Sequence, residues 1–296
     1  MTKNFSLLCG CKINIFLQIL GKRKDGFHYI ESLFYPLSFP ADHMDIVEHS
    51  GSGLTLRCCP RELEHRGNIL HRTYRAFAEA TGLRLGLKVY LHKKIPVGAG
   101  LGGGSSNAAS LLLFLISRSK GRSLNNKELL SLAARIGADV PFFIYNQPAR
   151  IEGIGNEVTP VNINLKGMHL VLVCPEISIN TGWAYQTYDE YCQNSKSLVP
   201  SFLTSPGTEN KEYILELLTM SNCFEGPIFS RYPQLGRIKL DMLKHGAAGC
   251  VLSGSGSSLS AFFREKHRAG QACFELERQN ISFYYLKIKD WGVAKR

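Results

Sequence analysis

The chain has 296 residues, 44% of them hydrophobic and 20% charged, a balance that builds one large or two moderate domains and excludes a disordered or fibrous chain. No apolar run is long enough to span a bilayer and the N-terminal MTKNFSLLCGCK is too short in apolar residues for a signal peptide, so a cytoplasmic protein with no membrane partner is expected. The 35 Lys+Arg against 24 Asp+Glu leave +11, which suits an anionic partner without choosing among nucleotide, phosphorylated metabolite and nucleic acid, while nine cysteines and nine histidines without CxxC repeats or HExxH spacing give no structural metal.

Ser6 to Leu20, SLLCGCKINIFLQIL, reads as a strand. Period-two alternation puts Lys12, Asn14 and Phe16 on one face and Ile13, Ile15 and Leu17 on the other. A lysine and an asparagine two apart inside such a strand need partners, unless the strand is an edge with one wet face. Gly21 to His28, GKRKDGFH, is a tight polar turn, after which YIESLFYPLSF resumes a strand to Phe39. Phe27 and His28 are then either a core aromatic beside a surface histidine, or an aromatic plate and a hydrogen-bonding edge of the kind that holds a nucleobase. Asp45 to Leu56 reads as a strand pair around Gly51 and Gly53. Asn68 to Ala80 reads as an amphipathic helix capped near Asn68, and Leu85 to Lys93 as a further strand.

Lys94 to Ser110, KIPVGAGLGGGSSNAAS, makes the most particular demand in the chain. Its glycines accept left-handed backbone and let another group approach closely. Ser105, Ser106 and Asn107 are placed to cap the helix that AASLLLFLIS then supplies, and the apolar Leu111 to Ile116 run buries that helix on most sides. A helix N-terminus offers unpaired N–H groups and the positive end of the dipole, a site for phosphate. The usual phosphate loops do not fit: no lysine follows the glycines as a Walker loop requires, and the GxGxxG count from Gly98, Gly100 and Gly103 is unspecific in so glycine-dense a stretch.

Asn126 to Ile136 makes another helix, ended by Gly137, and Asp139 stands two before Pro141 as an N-cap would. His169 to Cys174 is a buried strand. Thr181 and Tyr185 stand four apart, on one face if the segment is helical, and core packing is an equal reading of Tyr185. Asn194 to Asn210 reads as a surface loop, and 213 to 220 and 234 to 244 as helices of a second domain. Gly246 to Phe263 is a second glycine concentration that reads equally as a hairpin turn, and Ser282 to Lys289 is a closing strand.

The wording PVGAGLGGGSSNAA resembles the central phosphate-binding motif of the GHMP kinases, the superfamily of galactokinase, homoserine kinase and mevalonate kinase. KINIFLQILGKRKDGFHYIESLF resembles the N-terminal signature of the branch that phosphorylates 4-diphosphocytidyl-2-C-methyl-D-erythritol in non-mevalonate isoprenoid synthesis. GADVPFF resembles the segment with the catalytic aspartate, and GAAGCVLSGSGSSLSAFF the third motif, so the likeness covers nearly the whole chain. It implies a two-domain α/β (α+β) architecture: an ATP-binding domain over 1–163 like ribosomal protein S5 domain 2, and a ferredoxin-like domain over 164–296 that contributes to the substrate site.

By the same resemblance, ATP lies along Pro96, Val97, Gly98, Ala99, Gly100, Leu101, Gly102, Gly103, Gly104, Ser105, Ser106 and Asn107, with Asn68 near its adenine or ribose. Mg²⁺ is implied on phosphate oxygens with help from Ser105 or Ser106, without a dedicated protein metal site. Asp139 would accept or orient the hydroxyl proton with Lys12 beside it and Asn14 facing the same hydroxyl. Phe27 and Tyr185 would enclose cytosine, His28 would bond its edge, Thr181 would meet the substrate, and Gly254 and Gly256 would approach the phosphates with backbone amides. Two positions depart from the family pattern: Phe27 stands where a tyrosine is frequent, and Cys223 replaces the aspartate of an NDxE pattern over Asn222 to Glu225. The rivals are a homoserine or mevalonate kinase, which has no cytosine for GKRKDGFH to hold, and a basic nucleic-acid-binding protein, which the dispersed charge and the lack of an aromatic-basic array oppose.

Overall fold

The computed structural model describes residues 3–119, 124–163, 165–194 and 220–288. Strand β1 (Lys3–Lys22) turns through Arg23–Phe27 into β2 (His28–His49), and the two pair antiparallel along most of their length. Their ladder is not regular. Gly10 faces the stretch Ser38 to Ala41, because Cys9 pairs with Asp42 while Cys11 pairs with Leu37, and a Cβ on Gly10 would lie 2.2 Å from the Leu37 carbonyl oxygen. A second irregularity falls between Asn14 and Phe16.

That second bulge corrects the alternation expected from the sequence. One extra residue, Ile15, flips the pattern after it, so Phe16 joins Ile13 and Ile15 in an apolar cluster and Leu17 lines the cleft beside Lys12 and Asn14. Nor do the strands flanking Gly51 and Gly53 pair with each other: β3 (Gly53–Cys59) lies parallel to β4 (Gly86–His92), which inserts between β3 and β2. A 3-10 turn (Arg61–Leu63) and helix α1 (Ile69–Thr81) connect β3 to β4. The Asn68 side chain caps α1 by accepting from Leu70 N–H, and Gly82 closes it in the left-handed region.

Helices α2 (Gly103–Arg118), α3 (Asn126–Ile136) and α4 (Val140–Tyr145) follow, then β5 (Ala149–Glu152) on β2 and β6 (Glu157–Pro160) on β5. The second sheet holds β7 (His169–Val173), β9 (Gly249–Leu252), β10 (Leu259–Phe263) and β11 (Phe283–Lys287), in the antiparallel order β11-β7-β10-β9. Helices α5 (Thr181–Asn194), α6 (Glu225–Arg231) and α7 (Pro233–Lys244) lie between β7 and β9, and α8 (Lys266–Arg278) between β10 and β11. This is the βαββαβ order of a ferredoxin-like unit, with the β9–β10 connection forming the hairpin that Gly246 to Phe263 allowed. The two-residue strand β8 (Ser221–Asn222) crosses back to pair with β1. The loop expected over 194–210 and the helix over 213–220 fall, but for their outermost residues, on 195–219, outside the described residues.

Three apolar clusters hold four layers together. Helices α1 to α4 cover one face of the first sheet through Leu70, Phe77, Leu112, Leu115, Ile136 and Phe142. Ile13, Ile15 and Leu37 of that sheet pack against Leu170, Leu172 and Phe262 of the second. The far face of the second sheet carries α5 to α8 through Ala184, Ile228, Met242, Ala269 and Leu276. β7 therefore buries both faces, which is why HLVLV is apolar throughout.

Candidate active site

The glycine stretch leaves β4 at Lys93 and enters α2 differently from the expectation. Gly102, not a serine, occupies the N-cap position, at φ +68°, and no side chain caps the helix. Ser105, Ser106 and Asn107 lie inside the first turns instead; the ones expected to cap are already helical because left-handed Gly102 starts the helix early. The first N–H groups of α2 are thus free of side-chain acceptors at the floor of a cleft of about 510 Å³. Ser105 lines that cleft, whereas Ser106 is 3% exposed and does not.

The second glycine turn, between β9 and β10, touches the first. A Cβ on Gly100, which has φ +76°, would stand 1.9 Å from the Ser253 carbonyl oxygen, so only glycine fits. Ser258 N–H donates to Ala99 O at 3.2 Å, and the Ser253 hydroxyl donates to Gly100 O at 3.0 Å while accepting from Asn14 N–H at 3.2 Å. One hydroxyl thereby joins β1 and both glycine turns. Asn222 fixes the second turn from behind by donating to Leu252 O and Gly254 O, and Glu225 accepts from Leu252 N–H and pairs with Lys239. Asn222 and Glu225 of the NDxE-like pattern are therefore supports of this turn. Cys223 packs on the α5 side, its thiol pushed up to about 12 chiefly by burial.

Lys12 projects from β1 into the angle between the turns. Its N–H donates to Leu101 O at 2.9 Å, its Nζ donates to Asn14 Oδ1 at 2.6 Å and lies 4.3 Å above the Phe34 ring, and a Cβ on Gly254 would be 3.4 Å from that Nζ. Asn14 is fully buried and donates on to Ser32 Oγ at 2.9 Å. Asp139 Oδ2 lies 3.8 Å from Lys12 Nζ. Asp139 holds the N-cap position of α4 with helical backbone angles and no side-chain cap bond, so its carboxylate faces the lysine and not its own helix. Burial lowers the Lys12 ammonium below the ordinary lysine range, and Asp139 opposes that shift.

On the other side of the cleft, α5 presents Thr181 and Tyr185 one turn apart. The ring stacked on Tyr185 is that of His28, 4.9 Å away and inclined by 22°, while Phe224 meets Tyr185 edge-on at 5.0 Å. Burial raises the Tyr185 phenol above its usual range, with Cys223 and Asp139 adding to the effect. His28 is buried and its Nε2 lies 2.7 Å from Asp189 Oδ1; the other oxygen of Asp189 takes Lys22 Nζ at 2.6 Å. Desolvation works against the Asp189 carboxylate, but Lys22 and His28 outweigh it and hold the group below the usual carboxylate range. Phe27 is 60% exposed and stands outside the cleft wall, next to the turn.

The cleft gathers Lys12, Asn14, Asn68, Asp139, Thr181, Tyr185, Gly254 and all of Pro96 to Asn107 except Ser106; Phe27, His28 and Gly256 are not on its wall. The sequence reading missed Leu17 and Phe224 as wall residues, Ser253 as the junction and Asp189 behind His28. Asp189 carried a signal, since Thr181, Tyr185 and Asp189 repeat every four residues; among the serines of SGSGSS nothing marked Ser253.

As a chemical arrangement, the cleft offers uncapped helix amides for an anion, a buried cation and a carboxylate free of its own helix, the parts needed to transfer a phosphoryl group to a hydroxyl. Among the described residues no group of three His, Cys, Asp or Glu side chains is placed to hold a metal ion. The sequence families described as GHMP kinases N terminal domain and GHMP kinases C terminal match residues 68–147 and 207–282. A 4-diphosphocytidyl-2-C-methyl-D-erythritol kinase of Nitratidesulfovibrio vulgaris (strain DP4) is 40% identical over 284 residues, covering 96% of this chain and 99% of the relative. One of Lawsonia intracellularis is 40% identical over 294 residues, 93% and 94% of the two chains. A crystal structure of 4-(cytidine 5'-diphospho)-2C-methyl-D-erythritol kinase superposes with a TM-score of 0.76 at 28% identity, over 95% of this chain and 98% of the other. Homoserine kinase of Cytophaga hutchinsonii shares the fold at a TM-score of 0.66 and 18% identity, covering 96% and 93%.

Proposed function

The chain belongs to the 4-diphosphocytidyl-2-C-methyl-D-erythritol kinases of the GHMP kinase family, and on that footing we propose that it transfers the γ-phosphoryl group of ATP to the C2 hydroxyl of that CDP-linked substrate. The observation that carries the reading is the meeting of Lys12, Asp139 and the uncapped end of α2 in one cleft, from three distant parts of the chain.

The amides at Gly103 to Ser105 receive the nucleotide phosphates, and Asn68, on the same wall, stands on the side of the base or ribose. The acceptor hydroxyl lies between Asp139 and the phosphates. Its oxygen bonds to the γ-phosphorus as the β–γ bridge bond breaks toward ADP, and its proton passes to Asp139. Lys12 Nζ, 3.8 Å from Asp139 Oδ2, faces the charge of the transferred group. Asn14 fixes the lysine by accepting from it.

The donor set fits a magnesium ion carried on phosphate oxygens. Ser105 offers a hard oxygen on the cleft wall, Ser106 is buried away from it, and no dedicated protein cage is part of this reading. When bound, Mg²⁺ neutralises charge on the β- and γ-phosphates. The cytidine end sits toward α5, where Tyr185 and Thr181 line the wall and His28 backs Tyr185; exposed Phe27 reaches cytosine only by moving in from the turn, and the Gly254 amide stands near the diphosphate, whereas the Gly256 N–H is spent on Ser253 O at 2.9 Å. We place the boundary between the ATP-binding half and the half that contributes to the substrate site at 163/164, between β6 and β7. The nine thiols are all unpaired, which suits a reducing cytoplasm, and no helix among the described residues is long and apolar enough to cross a membrane.

The test is ATP-dependent phosphorylation of 4-diphosphocytidyl-2-C-methyl-D-erythritol, mevalonate and homoserine by the wild type and Asp139→Asn. Turnover of the CDP substrate alone, reduced at least about a hundredfold in the variant, is the expected result. Wild-type turnover of either other alcohol in its place sinks the substrate assignment.

A further inference from the structure

The bulge that sets Gly10 against Ser38 to Ala41 turns Asp42 inward, beneath the point where β4 hands the chain to the glycine loop. Asp42 is fully buried, and four donors converge on its two oxygens. Oδ1 accepts from Lys94 N–H at 2.8 Å and from Ile95 N–H at 2.9 Å, on the incoming limb of the loop. Oδ2 accepts from Asn107 Nδ2 at 2.9 Å, in α2 on the outgoing side, and pairs with the Lys93 ammonium. Lys93 Nζ also donates to Asn107 Oδ1 at 3.3 Å, which closes a ring of three side chains.

We propose that Asp42 is a positioning residue for the nucleotide: one buried carboxylate fastens both limbs of the loop from Pro96 to Ser106, and so sets where the free amides of α2 stand relative to Lys12. This rests on the reading that the loop holds the phosphates of ATP. The physical need is plain. A glycine-dense loop has many accessible conformations, and holding it in one before the ligand arrives removes an ordering cost from binding. The Ser253 hydroxyl and the Ser258 N–H restrain its middle, while Asp42 bonds to both limbs and also holds the lysine that links them.

Asparagine at position 42 cannot do the same. Its oxygen can serve Lys94 and Ile95, but its amide then faces the Lys93 ammonium and the Asn107 amide. Rotating Asn107 to offer its oxygen turns its NH₂ toward Lys93, so one donor always meets another. Asp42→Asn therefore keeps the incoming limb and loosens the helix end, which retains at most its direct bond between Lys93 and Asn107.

The test is titration of AMP-PNP with Mg²⁺ by calorimetry, without acceptor, on wild type and Asp42→Asn, beside melting temperature and the KM for the acceptor at saturating ATP. The dissociation constant is expected to rise at least about tenfold, the loss of one or two charge-assisted hydrogen bonds, with the acceptor KM changed less than about twofold. A role in stability alone lowers the melting temperature and leaves AMP-PNP affinity within twofold well below it, and that result overturns the proposal. Should the unpaired lysine keep Asp42→Asn from folding, Asp42→Ala is made in a Lys93→Met background. There it is expected to bind AMP-PNP about tenfold more weakly than Lys93→Met alone, and equal affinities overturn the proposal. Because no acceptor is present, an error in the CDP-substrate assignment leaves this result standing and shows only in the turnover assay.

Discussion

Lys12→Met separates the two things the buried ammonium does. At 3.8 Å from Asp139, and at an effective dielectric of about 20, the gross attraction between the two charges is about 4 kcal/mol. A phosphoryl group in flight at a similar distance would feel a comparable field, so removing the charge can raise the barrier by up to about that amount, roughly a thousandfold in rate. Methionine follows the lysine stem closely, so packing on Phe34 survives. Two stability terms oppose each other. The desolvation that lowers the Lys12 pKa disappears, while the buried Asn14 Oδ1 loses its 2.6 Å donor and keeps only the Ser253 hydroxyl at 3.4 Å, at a cost of up to about 1–3 kcal/mol. Asp139, with 28% of its side chain exposed, is not left as an isolated buried charge. Turnover is therefore expected to fall about 100- to 1000-fold while unfolding free energy stays within about 2 kcal/mol of wild type. The sign with pH follows from the lowered pKa: between the folded value and the ordinary lysine value, the unfolded chain binds the extra proton, so wild-type stability rises with pH there and the variant's does not. A coupled ADP-release assay and denaturant melts at several pH values measure both. Turnover within tenfold of wild type, or a stability loss above about 4 kcal/mol, would refute the placement of Lys12 at the reacting charge.

Gly100→Ala drives a Cβ into the Ser253 carbonyl and occupies a left-handed position, so ATP turnover should fall more than about tenfold with at least about 1 kcal/mol of stability lost; near-wild-type kinetics would show that the two turns need not touch. Asp189→Asn should raise the KM for the CDP substrate and leave that for ATP unchanged, since Asp189 acts through His28. Its stability deficit should be full above the ordinary carboxylate range and shrink as pH falls through the lowered Asp189 pKa, which a pH series of melts will read. Leu112→Ala, at a fully buried position of α2, should cost about 2–5 kcal/mol by denaturant melt, and less than about 1 kcal/mol would mean that this helix is not anchored by its apolar face.

What local chemistry decides was readable in the sequence. Asn68 before ILHR starts a helix and Gly137 after LAARI ends one, as written, because a cap is a contact between near neighbours. The wording of the glycine stretches led to a cleft in which they do meet. Misreadings came where distant partners decide. Gly102 opens α2 ahead of three residues that looked like caps, since the loop must turn left-handed to pass Lys12 and Phe143. The bulge at Ile15 exchanges the faces of Phe16 and Leu17, and no run of apolar residues announces a one-residue insertion. The parallel placement of β3 on β4 depends on a crossover helix, not on the turn at Gly51 and Gly53. Nothing local marks Asp42, whose partner Lys93 lies 51 residues away, and the helical spacing of Asp189 from Tyr185 does not reveal its partner His28.

The apolar layer in which Ile13, Ile15 and Leu37 meet Leu170, Leu172 and Phe262 has a further consequence for how substrates get in. Hinged enzymes separate two rigid lobes at a polar seam, but here the seam is itself a hydrophobic interior, and parting it would wet side chains that are almost fully buried. Rigid separation of the two sheets is therefore costly, and local motion at the mouth of the cleft is the less costly way to admit both substrates.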